Sequence, residues 1–432
     1  MEKLAIFGGK PMLNKKLKNY NSLGKEEEKA VLKVMKSRII SDFLGRAGEN
    51  FLGGKYVKEL EKKFCNYFGI KYAVSFNSAS TALQAAVGAL GIGPGDEVIT
   101  SPFTMSATAS AILFNNALPV FCDISKNNFC IDPEKIEKLI NKKTKAMLVV
   151  NLFGSTADYG AMLKIAKKHN LKIIEDNAQS AGAAYGGKFA GTIGDIGIFS
   201  FNVHKVIQSG EGGMLVTNNK KYAFRAQLIR NHGEAVLNDL KSKNIYESIL
   251  GNNFRMTELQ AAIVIQQLKK LKTLNKERIL LAQYLTQKLK QFPWLICPQI
   301  DKKNTHIYYT FPIRFLSEKI GIKRETFALA MESEGFGLSQ GYQEPIYLFP
   351  AYQKKEIYPH SKFPFVSKEY PHQVNYQKGI CPTTEYMYEK ELVCTNICQL
   401  PQTKKDIDLF VKAVGKISEN IDKLKKYERK KH

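Results

Sequence analysis

The sequence predicts an α/β protein: a large domain built on a mostly parallel, mixed sheet sandwiched by helices, followed by a smaller α+β C-terminal domain. Three observations carry this. Short apolar runs at 72–76, 98–100, 118–122, 146–150 and 172–175 alternate with amphipathic helical patterns, as parallel sheets with helices on both faces require. A chain of 432 residues, 44% hydrophobic and 24% charged, can bury a sizeable core and has room for a second domain. Polar clusters stand where the apolar runs end, and open α/β sheets bind ligands at the carboxyl ends of their strands. The expected division is 1–271 for the large domain with its N-terminal helix and 272–432 for the smaller one.

In chain order, 24–37 opens with acids and places Ala30, Val31, Val34 and Met35 at helical spacing. Segment 39–54 (IISDFLGRAGENFLGG) is Gly-rich and reads as a loop, a role that serves linkers and binding sites alike. A second amphipathic helix is expected at 56–68, and after the 72–76 strand the small polar residues Asn77 to Thr81 open an apolar helix. Further helices are expected at 133–140, 159–169 and 222–230. A pattern over 257–290 is long enough to suggest a bend. The smaller domain begins near Phe292 with a strand at 307–315 and a helix at 324–333.

Composition narrows the function. The 64 basic against 40 acidic residues give a formal charge of +24, but the lysines are dispersed and no nucleic-acid-binding pattern accompanies them. No nucleic-acid partner is expected. No apolar run approaches a membrane span and the N-terminus lacks a signal peptide's apolar core, so a cytoplasmic protein with no membrane partner is expected. The seven cysteines are odd in number and scattered; Cys394 and Cys398 have helical spacing but no partner pair, so free thiols and no metal site are expected.

The chemistry concentrates in 171–217. An apolar strand ends in Asp176 with Gln179 just after it, a second ends in Phe199-Ser200-Phe201, and Lys205 stands beyond, followed by Gly210-Glu211-Gly212-Gly213. A lysine amine on such a crevice suits Schiff-base chemistry. A buried acid upstream supplies the carboxylate that keeps the ring nitrogen of pyridoxal 5'-phosphate protonated. Small polar residues at a helix start, as at Asn77 to Thr81, suit a phosphate, although on the residues alone a simple N-cap is the commoner role.

The runs EDNAQSAGA and GDIGIFSFNVHKVIQSGEGG resemble the signature of the DegT/StrS family of sugar aminotransferases, fold-type I pyridoxal-phosphate enzymes. The resemblance extends from about Gly8 and weakens after Leu271. It implies that Lys205 carries the Schiff base, that Asp176 pairs with the pyridinium nitrogen and that Gln179 lies by the ring's phenolic oxygen. It implies a phosphate cradle at Ala79 and Ser80 with Ser200 opposite, and Met105 on the ring face where relatives carry an aromatic residue. Asn202 could line the substrate cleft or shape its loop, and Tyr342 could face substrate or pack in the core. Asn253, in GNNFRM, implies a homodimer in which it reaches the partner's cofactor. Loops 39–54 and 233–250 would set the choice of sugar.

A related branch replaces the lysine with histidine and dehydrates deoxysugars. His204 is adjacent, but the spacing to Gly210-Glu211-Gly212-Gly213 assigns the reactive position to Lys205, which favours transamination. The implied reaction moves an amino group from glutamate or glutamine, through pyridoxamine 5'-phosphate, to a keto sugar, expected to be nucleotide-linked, for amino-sugar or surface-polysaccharide synthesis. The alternative acceptor is a keto-cyclitol of the scyllo-inosose type, which the N-terminal LAIFGGKP and the long C-terminal region also resemble.

Overall fold

Seven apolar runs make the central sheet of the computed structural model, which describes residues 2–236, 249–370 and 373–431. They are β1 (Tyr72–Phe76), β2 (Glu97–Thr100), β3 (Leu118–Phe121), β4 (Thr144–Val150), β5 (Lys172–Asp176), β8 (Ile196–Ser200) and β9 (Gly213–Thr217). A small hairpin, β6 (Ala184–Tyr185) and β7 (Lys188–Phe189), lies between β5 and β8. The order is β1-β9-β8-β5-β4-β2-β3, parallel throughout except for β9, which is antiparallel to both its neighbours.

Both faces of the sheet are covered, so the strands read as nearly continuous apolar runs. The pleat sorts them: Val74, Phe76, Ile198 and Leu215 point to one core, Ala73, Phe199, Met214 and Val216 to the other. The first core is shared with α3 (Ala79–Ala89), α5 (Tyr159–His169) and α6 (Lys220–Arg230), the second with α2 (Lys55–Phe68) and α7 (Glu258–Leu289). Here α1 is Lys25–Ser37 and α4 is Ser106–Leu113. On α1, Ala30 and Val34 are buried while Met35 faces solvent.

Glu175 and Asp176 are adjacent, and the sheet gives them different work. Glu175 is buried among the Gly-rich excursion after β5 and accepts the backbone N–H groups of Gly191, Ile193 and Gly194 at 2.7, 2.6 and 2.5 Å. It ties that excursion under β8 and leaves Asp176 to face the carboxyl end.

Three expectations change in form. Residues 133–140 make two short 3-10 turns, Pro133–Lys135 and Glu137–Leu139, in place of one α-helix. The strand at 307–315 is confined to Phe311–Phe315, since Ile307 donates instead to Gly154 O (2.9 Å). The long helix runs unbroken from Glu258 to Leu289, its start closed by a Thr257/Gln260 capping box, so a boundary at 271 falls inside it.

Beyond α7, β10 (Leu295–Ile296), β11 (Phe311–Phe315), β12 (Ser339–Gln340) and β13 (Leu392–Thr395) form an antiparallel sheet in the order β10-β11-β13-β12. Its core also takes Leu4 and, at its margin, Phe7 and Leu13, so the N-terminal segment packs with C-terminal elements. Conversely Ile346, Tyr347, Tyr352, Phe365 and Tyr376 pack on Leu118 and Phe121 of β3, at the edge of the central sheet.

A buried ion pair fastens the N-terminal segment. Glu334, 0% exposed, accepts from Ala5 N (2.8 Å), Met12 N (3.1 Å) and Lys416 Nζ (2.9 Å), and Lys416 is itself 3% exposed. Removing one partner of such a pair strands the other charge. Glu334→Ala is expected to cost about 3–5 kcal/mol, read as a fall of several degrees in the thermal midpoint.

Candidate active site

The carboxyl ends of β5, β8 and β9 and the start of α3 converge on one place. Asp176 ends β5 and is 5% exposed. Its Oδ2 accepts from Thr108 Oγ1 at 2.9 Å and its Oδ1 from Ala178 N at 3.2 Å, while Thr104 lies 3.1 Å from Thr108 across their hydroxyls. Burial pushes the Asp176 carboxyl up; the two hydrogen bonds and the Lys205 charge oppose it. Lys205 shows the converse, its amine pushed down by burial and supported by Asp176. Each is the other's available countercharge in a site where both are costly to ionise.

Lys205 sits in the turn after β8. Its N–H donates to Asn202 O (2.9 Å), Asn202 donates through Nδ2 to Glu211 (2.9 Å) and accepts His204 N on Oδ1 (3.2 Å). Asn202 therefore shapes the turn that carries the lysine. The Lys205 amine lies 4.9 Å from the centroid of the Tyr309 ring.

Gln179 is held at both ends of its amide: Oε1 accepts from Phe153 N and Nε2 donates to the Tyr342 hydroxyl, each at 2.8 Å. Tyr342 packs edge-on against Phe103 and Phe153, so it belongs both to the core and to the site. Burial pushes its phenol well up, so it stays protonated. Tyr342 also lines a cleft of about 670 Å³ with Asn19, Tyr20, His204, Tyr309 and Asn396.

At the other edge Ser78 caps α3, accepting Thr81 N at 3.2 Å. The N–H groups of Ala79 and Ser80 remain at the positive end of the helix dipole, with the Ser80 side chain exposed. Gly213 permits this: a Cβ there would stand 2.6 Å from Ala79 N, so only glycine lets β9 and the helix start meet. Register places Ser200, Gly213 and Phe76 in one row, so Ser200 lies two strands from the cradle. The Ser200 hydroxyl accepts Asn202 N at 3.3 Å.

Met105 is 48% exposed at the start of α4, three residues before Thr108. Asn253 is exposed; its neighbour Phe254 bonds Asn77 N (2.9 Å) through its carbonyl, which brings the GNNFRM element beside the α3 start of its own chain. Loop 39–54 is anchored by buried Asn231, whose Nδ2 donates to Leu44 O and Phe51 O at 2.9 Å each. Of loop 233–250, residues 237–248 lie outside the described residues.

Sequence reasoning missed Thr104, Thr108 and Tyr309. The threonines had a signal, their four-residue spacing at the start of a helix in SPFTMSATAS; Tyr309 had none, because Gly154 brings it in. With φ +95°, Gly154 would set a Cβ 2.7 Å from Tyr309 N, so its lack of a side chain admits the 307–309 backbone. All seven cysteines are free. Among the described residues no cluster of His, Cys, Asp and Glu could hold a metal and no helix is long and apolar enough to cross a membrane.

A parallel sheet with one reversed strand, carrying a lysine beside a buried acid and a helix start, defines the protein as a fold-type I aminotransferase. The chain belongs to the DegT/DnrJ/EryC1/StrS aminotransferase family, whose sequence model matches residues 24–391. It is 35% identical to a GDP-perosamine synthase of Caulobacter vibrioides over 69% of this chain and 79% of that protein. It is 32% identical to a putative L-glutamine:3-amino-2,3-dideoxy-scyllo-inosose aminotransferase of Micromonospora echinospora over 98% of this chain and 99% of that one. The crystal structure of an aminotransferase from Psychrobacter cryohalolentis superposes with a TM-score of 0.80 at 27% identity, covering 94% of this chain and 99% of that one. The protein is thus a sugar aminotransferase of a pyridoxal-phosphate-dependent family.

Proposed function

We propose that this aminotransferase uses pyridoxal 5'-phosphate and Lys205 to move an amino group from glutamate or glutamine to a ketone on a polyhydroxylated ring, in a homodimer. The observation that carries the reading is that buried Asp176 and the Lys205 amine feel each other's charge in one site without forming an ion pair, so a cationic ring nitrogen beside Asp176 would supply its missing countercharge. The donor set fits the group. Asp176 would hold the ring nitrogen, the N–H groups of Ala79 and Ser80 with the Ser200 hydroxyl would hold the phosphate, Gln179 would lie by the phenolic oxygen and Met105 would cover a ring face. Asn253, exposed, would serve the partner's site.

When bound, the cofactor supplies an electron sink that stabilises negative charge on the donor's Cα. The chain does the rest. Lys205, whose amine burial keeps from holding its proton tightly, would take the proton from the donor's Cα and deliver it to the cofactor's C4′ carbon. Thr108 and Ala178 keep Asp176 aimed with both oxygens engaged. Tyr342 holds Gln179 in place.

The acceptor reading is a nucleotide-linked keto sugar, supported by the likeness to the GDP-perosamine synthase. A free keto-cyclitol is the second reading, supported by nearly full-length similarity to the inosose aminotransferase and by a cleft lined with uncharged polar groups such as Asn19, Tyr342, Gln343 and Asn396. The test is the visible absorbance of the cofactor-loaded protein. Bleaching by glutamate or glutamine, with recovery on adding a keto sugar nucleotide or an inosose, confirms the function and selects the acceptor; a band that no donor bleaches rejects it.

A further inference from the structure

The reactive turn is gripped by a segment far from it in sequence. Tyr20, on the N-terminal segment, donates its hydroxyl to Val206 O at 2.5 Å, the carbonyl immediately after Lys205. The Tyr20 ring lies under the Arg278 guanidinium, 4.5 Å from ring centroid to Cζ. Arg278, on α7, donates through Nη1 to Tyr308 O (3.4 Å) and Tyr309 O (3.2 Å). Tyr309 in turn places its ring 4.9 Å from the Lys205 amine. The contacts close on themselves, from Lys205 through Val206, Tyr20, Arg278 and Tyr309 back to Lys205.

We infer that Tyr20 is a positioning residue for Lys205, closing with Arg278 and Tyr309 a clasp that holds the lysine's backbone from one side and confines its amine from the other. The inference rests on Lys205 being the reactive amine.

The cost of the arrangement argues that it is more than filling. Arg278 is 1% exposed, and its Nε and Nη2 have no hydrogen-bond partner among the described residues. An apolar side chain would occupy that space more cheaply. What a guanidinium adds is a planar cation that stacks on the Tyr20 ring and fixes two successive carbonyls at once. Those carbonyls belong to Tyr308 and Tyr309, so the bonds set where the Tyr309 ring stands. The N-terminal segment is restrained on both sides of Tyr20: Gln402 Nε2 donates to Lys18 O (2.7 Å), and Ser22 Oγ donates to Gln267 Oε1 (2.6 Å). Tyr20 therefore reaches Val206 from a fixed support, and it lines the cleft at the same time.

The decisive variant is Tyr20→Phe, which keeps the ring over Arg278 and removes only the bond to Val206. It is expected to keep the thermal midpoint, to lower kcat on the order of tenfold and to leave the donor KM within about twofold, since a displaced lysine impairs the proton transfer rather than binding. The second readout needs no cofactor. In cofactor-free protein, the pH dependence of Lys205 reductive methylation, followed by peptide mass spectrometry, is expected to shift upward as the loosened amine becomes better solvated. Tyr20→Ala, lacking the ring as well, should show both effects more strongly; if it does not fold, Tyr20→Phe alone decides. A Tyr20→Phe kcat within about twofold of wild type, or an unchanged methylation profile, overturns the clasp. Lys205→Ala separates the two levels: if it is inactive while Tyr20→Phe is normal, the clasp fails and the function stands; if it turns over normally, both fail.

Discussion

Lys205→Ala is expected to abolish turnover, lowering kcat at least ~10⁴-fold, because the variant loses both the amine that binds the cofactor and the group that shuttles the proton. The fold should survive. Lys205 lies in a turn whose own bonds are made by Asn202, Glu211 and the backbone, none of which uses the lysine side chain. Its amine meets the Tyr309 ring face and the field of Asp176. Cofactor should still bind noncovalently through the helix start and Asp176, so the visible band of the loaded protein should shift while the protein still retains the cofactor on gel filtration. Steady-state activity comparable with wild type would remove Lys205 from the chemistry.

Asp176→Asn should lose activity on the order of 10³-fold, the scale at which removal of a preorganised charge is felt. An amide is close to the carboxylate in size and can still accept from Thr108 or Ala178, which hold the two oxygens at 2.9 and 3.2 Å. What it lacks is the negative charge that would keep a ring nitrogen protonated. Burial already presses the carboxyl toward its neutral form, so the substitution should be well tolerated by the fold, with the thermal midpoint close to wild type. The pair of measurements is what tests the assignment. Lost activity with retained stability is the signature of a charge used for chemistry, and near-native rates would end that role.

The two acids at the end of β5 show how far local sequence reaches. EDNAQ announces a strand end with polar residues, and resemblance assigns the second acid to a ring nitrogen. Strand alternation turns Glu175 to the opposite face, but nothing local says that it gathers three N–H groups of the excursion after it. That division follows from the period of two along a strand, which sends adjacent side chains to opposite faces, together with the path of a Gly-rich loop that has no periodicity to read.

Asn202 and Tyr342 make the same point from the other side. Both were open between structure and substrate on sequence grounds. The structure shows Asn202 tying the lysine turn, and it shows Tyr342 joining core and site by packing on Phe103 and Phe153 while donated to by Gln179. For Ala79, Ser80 and Ser200 the register of β1, β9 and β8 supplies the alignment that spacing alone could not.

The sequence by itself determined the alternation of strands and helices, the sheet whose strand ends carry the candidate site, and the candidacy of Lys205, Asp176 and Gln179, because strand periodicity and a contiguous motif are local properties. Tertiary structure alone decided what surrounds them. Thr108 reaches Asp176 across 68 residues, and Tyr20 reaches Val206 across 186. Tyr309 stands over Lys205 because a glycine after β4 admits its backbone. The physical reason is that such contacts are set by how packed elements cross in space, and separation along a chain carries no record of that crossing.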